Sequence, residues 1–285
     1  MDKVGILYHP LKAESLSLCA EVESWLTKRG ISVVSGGGFD DHGRQNQVLQ
    51  EIESLSLLIV LGGDGATLRA AQHTAPYGVP IFGINLGRVG FLSEAEPDNW
   101  PERLEPVMVG DWWPEERLML RVALVRDGKQ VVEMRALNDV VIGRSGQARV
   151  IRLRLYVDED YVTTYTADGL VVATPTGSTA YAMAAGGPLL WPRLPNFLVI
   201  PVAPHLSLDR ALVLHQTAIV SIGLEPELEA TLTVDGRGGY PVQFGDRVIV
   251  RQNENSCTFA RVGQPSYFYH RLMARFGYWH PLKEA

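Results

Sequence analysis

The stretch Leu57-Leu58-Ile59-Val60-Leu61-Gly62-Gly63-Asp64-Gly65-Ala66-Thr67 decides how the chain begins to fold. Leu57 to Leu61 is an unbroken apolar run, far too short to cross a bilayer and without the alternation of a strand that has one wet face. It reads as a strand buried on both sides, the kind found in a parallel sheet covered by helices. The run stops at Gly62-Gly63-Asp64-Gly65, and Thr67 to His73 then has helix-forming composition. A glycine-rich turn at the carboxyl end of such a strand lies where open α/β sheets bind ligands.

Outward from this point, strand and helix alternate. Val4 to Tyr8 reads as a strand, and Glu14 to Arg29 as a helix with Leu16, Ala20, Val22 and Leu26 at helical spacing and Gly30 as its stop. Ile31 to Val34, Gln47 to Ile52 and Pro80 to Ile84 continue as strand, short helix and strand, which makes this part α/β. Beyond about Pro101 the texture changes. Leu118 to Val125, Val131 to Ile142, Val150 to Val157, Tyr161 to Thr166, Leu198 to Val202, Ala218 to Gly223, Ala230 to Val234 and Arg247 to Arg251 are strand-like runs. Asp127-Gly128, Asp235-Gly236 and Gly245-Asp246 supply turns between them. The expected fold is therefore an α/β domain over residues 1–100, a β-rich domain over 101–265, and a helical tail over 266–285, with Tyr267 to Tyr278 as its helix, packing back on the first domain. Glu96 to Pro114 is the expected linker.

Composition narrows the function. Hydrophobic residues are 46% and charged residues 20% of the 285, the balance of a packed globular chain. A formal net charge of -6 argues against general nucleic-acid binding, which needs a surplus of Lys and Arg. The start Met1-Asp2-Lys3 enters an apolar run at once, without the h-region of a secretory signal, and the two cysteines, Cys19 and Cys257, form no CxxC pair. Cytoplasmic location, no membrane partner and no metal ligands are expected, since the seven histidines also lack metal-ligand spacing.

Four segments carry chemistry. Gly62-Gly63-Asp64-Gly65 lets backbone approach a polyphosphate while Asp64 enters the same crevice; it reads equally as a tight turn whose Asp caps the next helix. Gly83-Ile84-Asn85-Leu86-Gly87-Arg88-Val89-Gly90-Phe91-Leu92 is a second glycine-punctuated loop at a strand end, or simply a set of turns. Asn138-Asp139 is a polar pair inside an apolar run and needs partners, or marks a bulge. The fourth segment follows Asp168-Gly169 and the buried run Leu170 to Ala173. In it, Thr174, Thr176, Ser178 and Thr179 cluster hydroxyls around Gly177, suited to phosphate or ribose oxygens, and Tyr181 offers an aromatic face to an adenine ring. The alternative there is a Ser/Thr-rich loop and helix cap. Arg144, Arg149, Arg152 and Arg154 form a basic cluster, either a face paired with Asp158, Glu159 and Asp160 or a site for an anionic ligand. P-loop, His-Arg-Asp, HExxH, GxSxG and GxGxxG signatures do not occur.

In this order, Gly62-Gly63-Asp64-Gly65, the Asn85/Gly87/Gly90 loop, Asn138-Asp139 and Thr174 to Tyr181 with Gly186-Gly187-Pro188 closely resemble the NAD kinase family. The likeness spans most of the chain, from the first strand to Asp235-Gly236 and the aromatic tail. It implies the family's two-domain fold, an α/β domain and a β-rich NAD-binding domain with the active site in the crevice between them. The implied reaction moves the terminal phosphoryl of ATP, or of polyphosphate, to the 2′-hydroxyl of the adenosine ribose of NAD, giving NADP. It further implies Mg²⁺ carried with ATP and a homodimer or homotetramer.

Residue by residue, the resemblance makes Asp64 the catalytic aspartate. Gly65, Asn138, Asp139, Asp168 and Thr179, Ala180, Tyr181, Ala182, Met183 and Ala184 become NAD contacts, with Arg69, Arg149 and Thr166 as further binding positions. Gly62, Gly63, Gly65 and Thr67 would form the donor phosphate loop. Ala66 stands where many members carry Thr, and Arg237 where bacterial members often carry Gln. Two other readings remain: a lipid kinase of the diacylglycerol or sphingosine type, which shares a Gly-Gly-Asp-Gly turn, and a non-catalytic NAD(P)-binding regulator.

Overall fold

The computed structural model describes residues 1–38, 46–87, 90–146, 150–206, 208–226, 229–265 and 267–275. The chain divides into two compact units, Met1–Glu116 together with the segment from Cys257 onward, and Arg117–Ser256.

The first unit begins β1 (Lys3–Tyr8), α1 (Ala13–Thr27), β2 (Ser32–Gly37), α2 (Gln47–Gln50), β3 (Leu57–Leu61), α3 (Asp64–Thr74), β4 (Ile81–Ile84), α4 (Trp100–Val109) and β5 (Trp113–Arg117). The second unit runs β6 (Leu120–Arg126), β7 (Lys129–Ala136), β8 (Asp139–Arg144), β9 (Ile151–Val157), β10 (Asp160–Ala167), β11 (Gly169–Ala173), α5 (Tyr181–Ala184) and β12 (Asn196–Val202). It continues β13 (Leu212–His215), β14 (Val220–Leu224), β15 (Ala230–Val234), β16 (Arg237–Val242) and β17 (Arg247–Gln252). The chain then returns to the first unit as β18 (Cys257–Arg261) and α6 (Tyr267–Arg275).

The first unit is built on a sheet of order β2-β1-β3-β4-β18-β5, parallel from β2 through β18. All five residues of β3 are buried, as a strand covered on both faces requires. Val4, Ile6, Leu57, Ile59, Leu61, Phe82 and Ile84 of the sheet share one core with α1 and α4. In α1 the buried stripe is Ser15, Leu18, Cys19, Val22 and Leu26, so Leu16, expected on the apolar face, is instead exposed. Gly30 closes the segment with a φ of 78°.

The expected linker is a helix. Trp100, Leu104 and Val107 of α4 are buried in the first core, and Trp100 meets Trp25 edge to face at 5.6 Å. Its two prolines and its composition suggested a loop, but Pro101 in the first turn costs the helix no hydrogen bond, and the helix continues through Pro106 to Val109 with Trp100, Leu104 and Val107 buried. The compact units also divide elsewhere than at residues 100 and 265. β5 and β18 pair side by side in the first sheet, a long-range pairing with no local signature in either run.

The second unit holds two antiparallel sheets, β10-β9-β14-β17-β6-β7 and β13-β12-β11-β8-β15-β16. Alternate residues, such as Ile151, Leu153 and Leu155 of β9, meet Leu170, Val172, Phe197 and Leu232 of the facing sheet in one core. β11 and β12 are buried on their other face too, where Val171, Ala173, Leu198 and Ile200 pack with Ala182 and Leu190. Asp127-Gly128 and Asp235-Gly236 are hairpin turns with both residues at positive φ, the type I′ pattern. The run Val131 to Ile142 is two strands, broken at Leu137-Asn138. The helix of the tail covers the first part of the expected Tyr267 to Tyr278, and residues 276–278 lie outside the described residues. Among the described residues no helix is long and apolar enough to cross a membrane.

Replacing Trp100 with Ala should lower stability by about 3–5 kcal/mol, the cost of emptying a core site of that size. The measurement is the denaturant midpoint of the first unit's transition; a loss below about 1 kcal/mol would mean the stretch behaves as a surface segment.

Candidate active site

In the first unit β3 delivers the chain to Gly62-Gly63, and α3 starts at Asp64 itself, earlier than the Thr67 expected from composition. Gly63 occupies the N-cap, and no side chain caps the helix there. Asp64 does not cap its own helix either. Its carboxylate reaches across to the loop after β4, where Oδ2 accepts the Phe91 N–H and Oδ1 the Leu92 N–H, each at 3.1 Å. Gly90 makes that approach possible, because a Cβ there would collide with Asp64 Oδ1. Gly62 is likewise tight, its Cβ position lying 2.8 Å from Ala66 Cβ, whereas Gly65 faces open space. The result is a half-buried carboxylate of fixed aim, in the first turn of a helix, with exposed backbone beside it.

A cavity of about 620 Å³ opens at the carboxyl end of the parallel strands. Gly62 and Gly63 line it from the β3–α3 connection, Gly65, Ala66 and Arg69 from α3, and His9 and Lys12 from the loop after β1. Because β2 and β3 flank β1 on opposite sides, this is the point where strand order reverses, the usual ligand position in such sheets. Thr67, assigned to the phosphate loop, is fully buried and donates its hydroxyl to the Gly63 carbonyl at 3.4 Å. It supports the turn from inside rather than lining the cavity. Asn85 is buried, with its amide on the Gly87 carbonyl at 2.9 Å, while Arg88 and Val89 lie outside the described residues.

In the second unit the break at Leu137-Asn138 is held by one side chain. Asp235, first residue of the β15–β16 turn, accepts the N–H groups of Leu137 at 2.9 Å, Asn138 at 2.8 Å and Asp139 at 3.1 Å. It gives its own N–H to the Asp139 carbonyl at 2.9 Å. The polar pair is therefore a strand junction with every nearby amide satisfied, and Asn138 is left half-buried beside a buried Asp139.

Three of the four hydroxyls of the Thr174 to Thr179 loop donate to carbonyls of the loop itself or of Leu137. Thr174 Oγ1 donates to the Leu137 carbonyl at 2.5 Å and accepts from Gly177 N at 3.0 Å. Ser178 Oγ donates to the Pro175 carbonyl at 2.7 Å and accepts Leu190 N, and Thr179 Oγ1 donates to the Thr176 carbonyl at 3.0 Å. Thr176 Oγ1 accepts from Arg117 at 3.0 Å. Only glycine fits at 177, where a Cβ would overlap the Asn138 carbonyl. These contacts dock the loop on residues 137–139 and bring the short helix α5 to Asp139, whose carboxylate accepts the Tyr181 N–H. Tyr181 itself is exposed, next to buried Ala182, partly buried Met183 and exposed Ala184.

Burial, then repulsion from Asp235, pushes the Asp139 carboxyl up to about 7, with the Tyr181 N–H pulling the other way. Asp168 sits at the β10–β11 turn and pairs with Arg144 at 3.3 Å; Thr166 precedes it, half-buried in β10. Arg149 lies outside the described residues. Arg152 and Arg154 pair with Glu225 of the neighbouring strand region at 3.5 and 3.6 Å, not with Asp158 to Asp160. Sequence reasoning treated Asp235 only as a turn residue and passed over Phe91 and Leu92, since backbone donors have no sequence signature. The hairpin signal at Asp235 was the one clue to its position.

The family model described as ATP-NAD kinase N-terminal domain matches residues 4–112, and that described as ATP-NAD kinase C-terminal domain matches residues 137–262. An NAD kinase of Chloroflexus aurantiacus is 38% identical over 275 residues, covering 96% of this chain and 98% of the relative. An NAD kinase from Archaeoglobus fulgidus, solved in complex with ATP, superposes with a TM-score of 0.75 at 26% identity, covering 98% of this chain and 100% of that one. Yeast NADH kinase, solved with NADH, gives a TM-score of 0.87 at 23% identity, covering 100% of this chain and 90% of that one, and so shows the shared fold.

The Asp139 shift has a stability consequence of definite sign. Between pH 3.8, where an ordinary Asp ionises, and about 7, the native state keeps a proton that the unfolded chain has lost, so stability falls as pH rises through that window. An Asp139→Asn variant carries no ionisable group at this position. Relative to the variant, the wild type should lose up to about 1.4 kcal/mol per pH unit across that range. Unfolding curves collected from pH 5 to 8 decide it, and a constant difference between the two proteins would show that Asp139 titrates normally.

Proposed function

This chain belongs to the NAD kinase family and phosphorylates NAD to NADP, and on that premise we propose that Asp64 is the base that accepts the proton of the acceptor hydroxyl. A sugar hydroxyl is a weak nucleophile at neutral pH. As the 2′-oxygen of the adenosine ribose bonds to the terminal phosphorus of ATP, the bond from that phosphorus to its bridging oxygen breaks. ADP leaves, and the hydroxyl proton passes to Asp64. The observation that carries this reading is the carboxylate itself. Each of its oxygens takes one backbone N–H and keeps further acceptor capacity for a hydroxyl.

The donor polyphosphate is assigned to the cavity beside Gly62, Gly63 and Gly65. The start of α3 supplies N–H groups there, and Lys12 and Arg69 supply positive charge. A divalent cation, with Mg²⁺ expected, is read as part of the donor. The described residues contain no group of three or more His, Cys, Asp or Glu able to hold a metal, so a cation here would be held mainly by the donor's phosphates, with at most one or two carboxylates. No step of the chemistry is assigned to it.

For NAD, the reading assigns Gly65 and Arg69 in the first unit. In the second it assigns Asn138, Asp139, Thr166, Asp168 and the segment Thr179 to Ala184, where the exposed Tyr181 ring is the surface for adenine. Thr179 takes part through its position in the loop, its hydroxyl being bonded within it. Arg149, a cytoplasmic setting, polyphosphate as a second donor and a homodimeric or homotetrameric assembly rest on family resemblance.

Asp64→Asn should leave folding and NAD binding nearly intact and lower kcat by about 10²- to 10⁴-fold, the usual share of a positioned base. NADP is read by coupling to an NADP-specific dehydrogenase; near-normal turnover would remove Asp64 from the mechanism. On the donor side, Lys12→Met should raise KM for ATP by about tenfold or more while KM for NAD stays level, as expected on losing one charge-assisted contact. A rise in KM for NAD alone would place the donor elsewhere.

A further inference from the structure

The aim of Asp64 depends on two backbone amides, those of Phe91 and Leu92, and these are only as well placed as the loop that carries them. Two sets of contacts hold that loop. On one side it lies along β4, with Glu94 N and Ala95 N donating to the Gly83 carbonyl at 2.8 and 3.1 Å and Asn85 N donating to the Ala95 carbonyl at 2.9 Å. On the other side is the buried guanidinium of Arg261 at the end of β18. Its Nη1 donates to the Leu92 carbonyl at 3.1 Å and to the Ser93 carbonyl at 3.0 Å. Leu92 is thus pinned at both ends, its N–H on Asp64 and its C=O on Arg261.

We propose that Arg261 is a positioning residue for the Asp64 carboxylate, acting through the backbone of Leu92 and Ser93. The inference rests on the reading of Asp64 as the base. Arg261 is 1% exposed, so its charge is fully desolvated, and two buried carboxylates balance it. Its Nε donates to Glu115 Oε2 at 2.8 Å, and Nη1 contacts Glu94 Oε2 at 3.2 Å. Glu94 is in turn gripped by Arg103 at 2.7 Å, and Arg271 of α6 also donates to the Ser93 carbonyl. A buried ion cluster of this kind brings little net stability compared with an apolar core of the same volume. What it does provide is geometry. The planar fork of arginine can bond Glu115 in one direction and two successive carbonyls in another, which a lysine ammonium cannot span with the same fixed angles. Small displacements of a reacting group cost rate steeply, so a loop that sets the direction of a base benefits from rigid anchoring.

The test is a double-mutant cycle on the full-length protein. Arg261→Lys keeps the charge and removes the fork. It should lower kcat by about tenfold or more while KM for NAD and for ATP change by less than about twofold, because the loss falls on the chemical step. Introduced into Asp64→Asn, the same change should alter the residual turnover by less than about twofold, since the group it positions is already gone. An unchanged kcat, or the same factor lost in both backgrounds, overturns the proposal and leaves Arg261 a structural residue. If Asp64→Asn alone keeps near-normal turnover, the base assignment fails and this inference with it; if Asp64→Asn collapses while Arg261→Lys does not, only the positioning role fails. Should Arg261→Lys fold poorly, Glu115→Gln loosens the guanidinium from its far side. It should show the same pattern at about threefold in kcat, and equal losses in both backgrounds again count against the proposal.

Discussion

Backbone N–H groups that converge on a carboxylate are the interaction on which the shape of both candidate regions, one in each unit, depends. Two of them, from Phe91 and Leu92, fix Asp64 in the first unit. Three more, from Leu137, Asn138 and Asp139, are gathered by Asp235 in the second. In each place the chain is in a loop or at a strand's first residue, so these amides turn to a side chain and would cost about 1–3 kcal/mol apiece if buried unmet. The carboxylate meets that need and is itself oriented by it. At Asp64 the oriented group is the carboxylate proposed above as the base. At Asp235 it is a clamp, and what it orients is the backbone that carries Asn138 and Asp139.

The same logic explains why three hydroxyls of the loop are turned to its own carbonyls and to Leu137. Thr174, Ser178 and Thr179 bond carbonyls within their own loop or on Leu137, and Gly177 lets that loop touch the Asn138 carbonyl. A short loop that must hold its shape without a regular ladder uses side-chain oxygens as its hydrogen bonds. What it leaves on the outside is the backbone and the small side chains of α5 with the exposed Tyr181 ring, the surface proposed above for NAD. Burial, and after it the neighbouring Asp235 carboxylate, raises the Asp139 carboxyl to about 7, which makes the region's charge sensitive to pH near neutrality.

The first unit is completed by residues far along the chain. The second unit is inserted between β5 and β18, and it is the return of β18 that brings Arg261 under the loop beside Asp64. The surface ion pairs, such as Arg29 with Glu105, are exposed and contribute little. The buried cluster of Arg261, Glu94 and Glu115 is of another kind, because removing one member takes a partner from the others where water does not replace it.

The sequence by itself determined the buried strand Leu57–Leu61, the α/β then β-rich order, the hairpins at Asp127-Gly128 and Asp235-Gly236, and the four motifs whose order resembles NAD kinases. Each of these is written in local composition: an apolar run with no alternation, a period of 3.6 or 2, a Gly or Asp that tolerates positive φ. Local composition misjudged the stretch around Trp100, where prolines and polar residues concealed a packed helix, and it read Val131 to Ile142 as one strand because the break is made by Asp235 from elsewhere. Only the tertiary structure decided which carboxylate caps nothing and faces a distant loop, which hydroxyls are bonded inside, and that a late arginine supports an early aspartate. These are pairings between residues with no sequence relation to each other, set by the burial of polar groups that must find partners wherever the folded chain brings them.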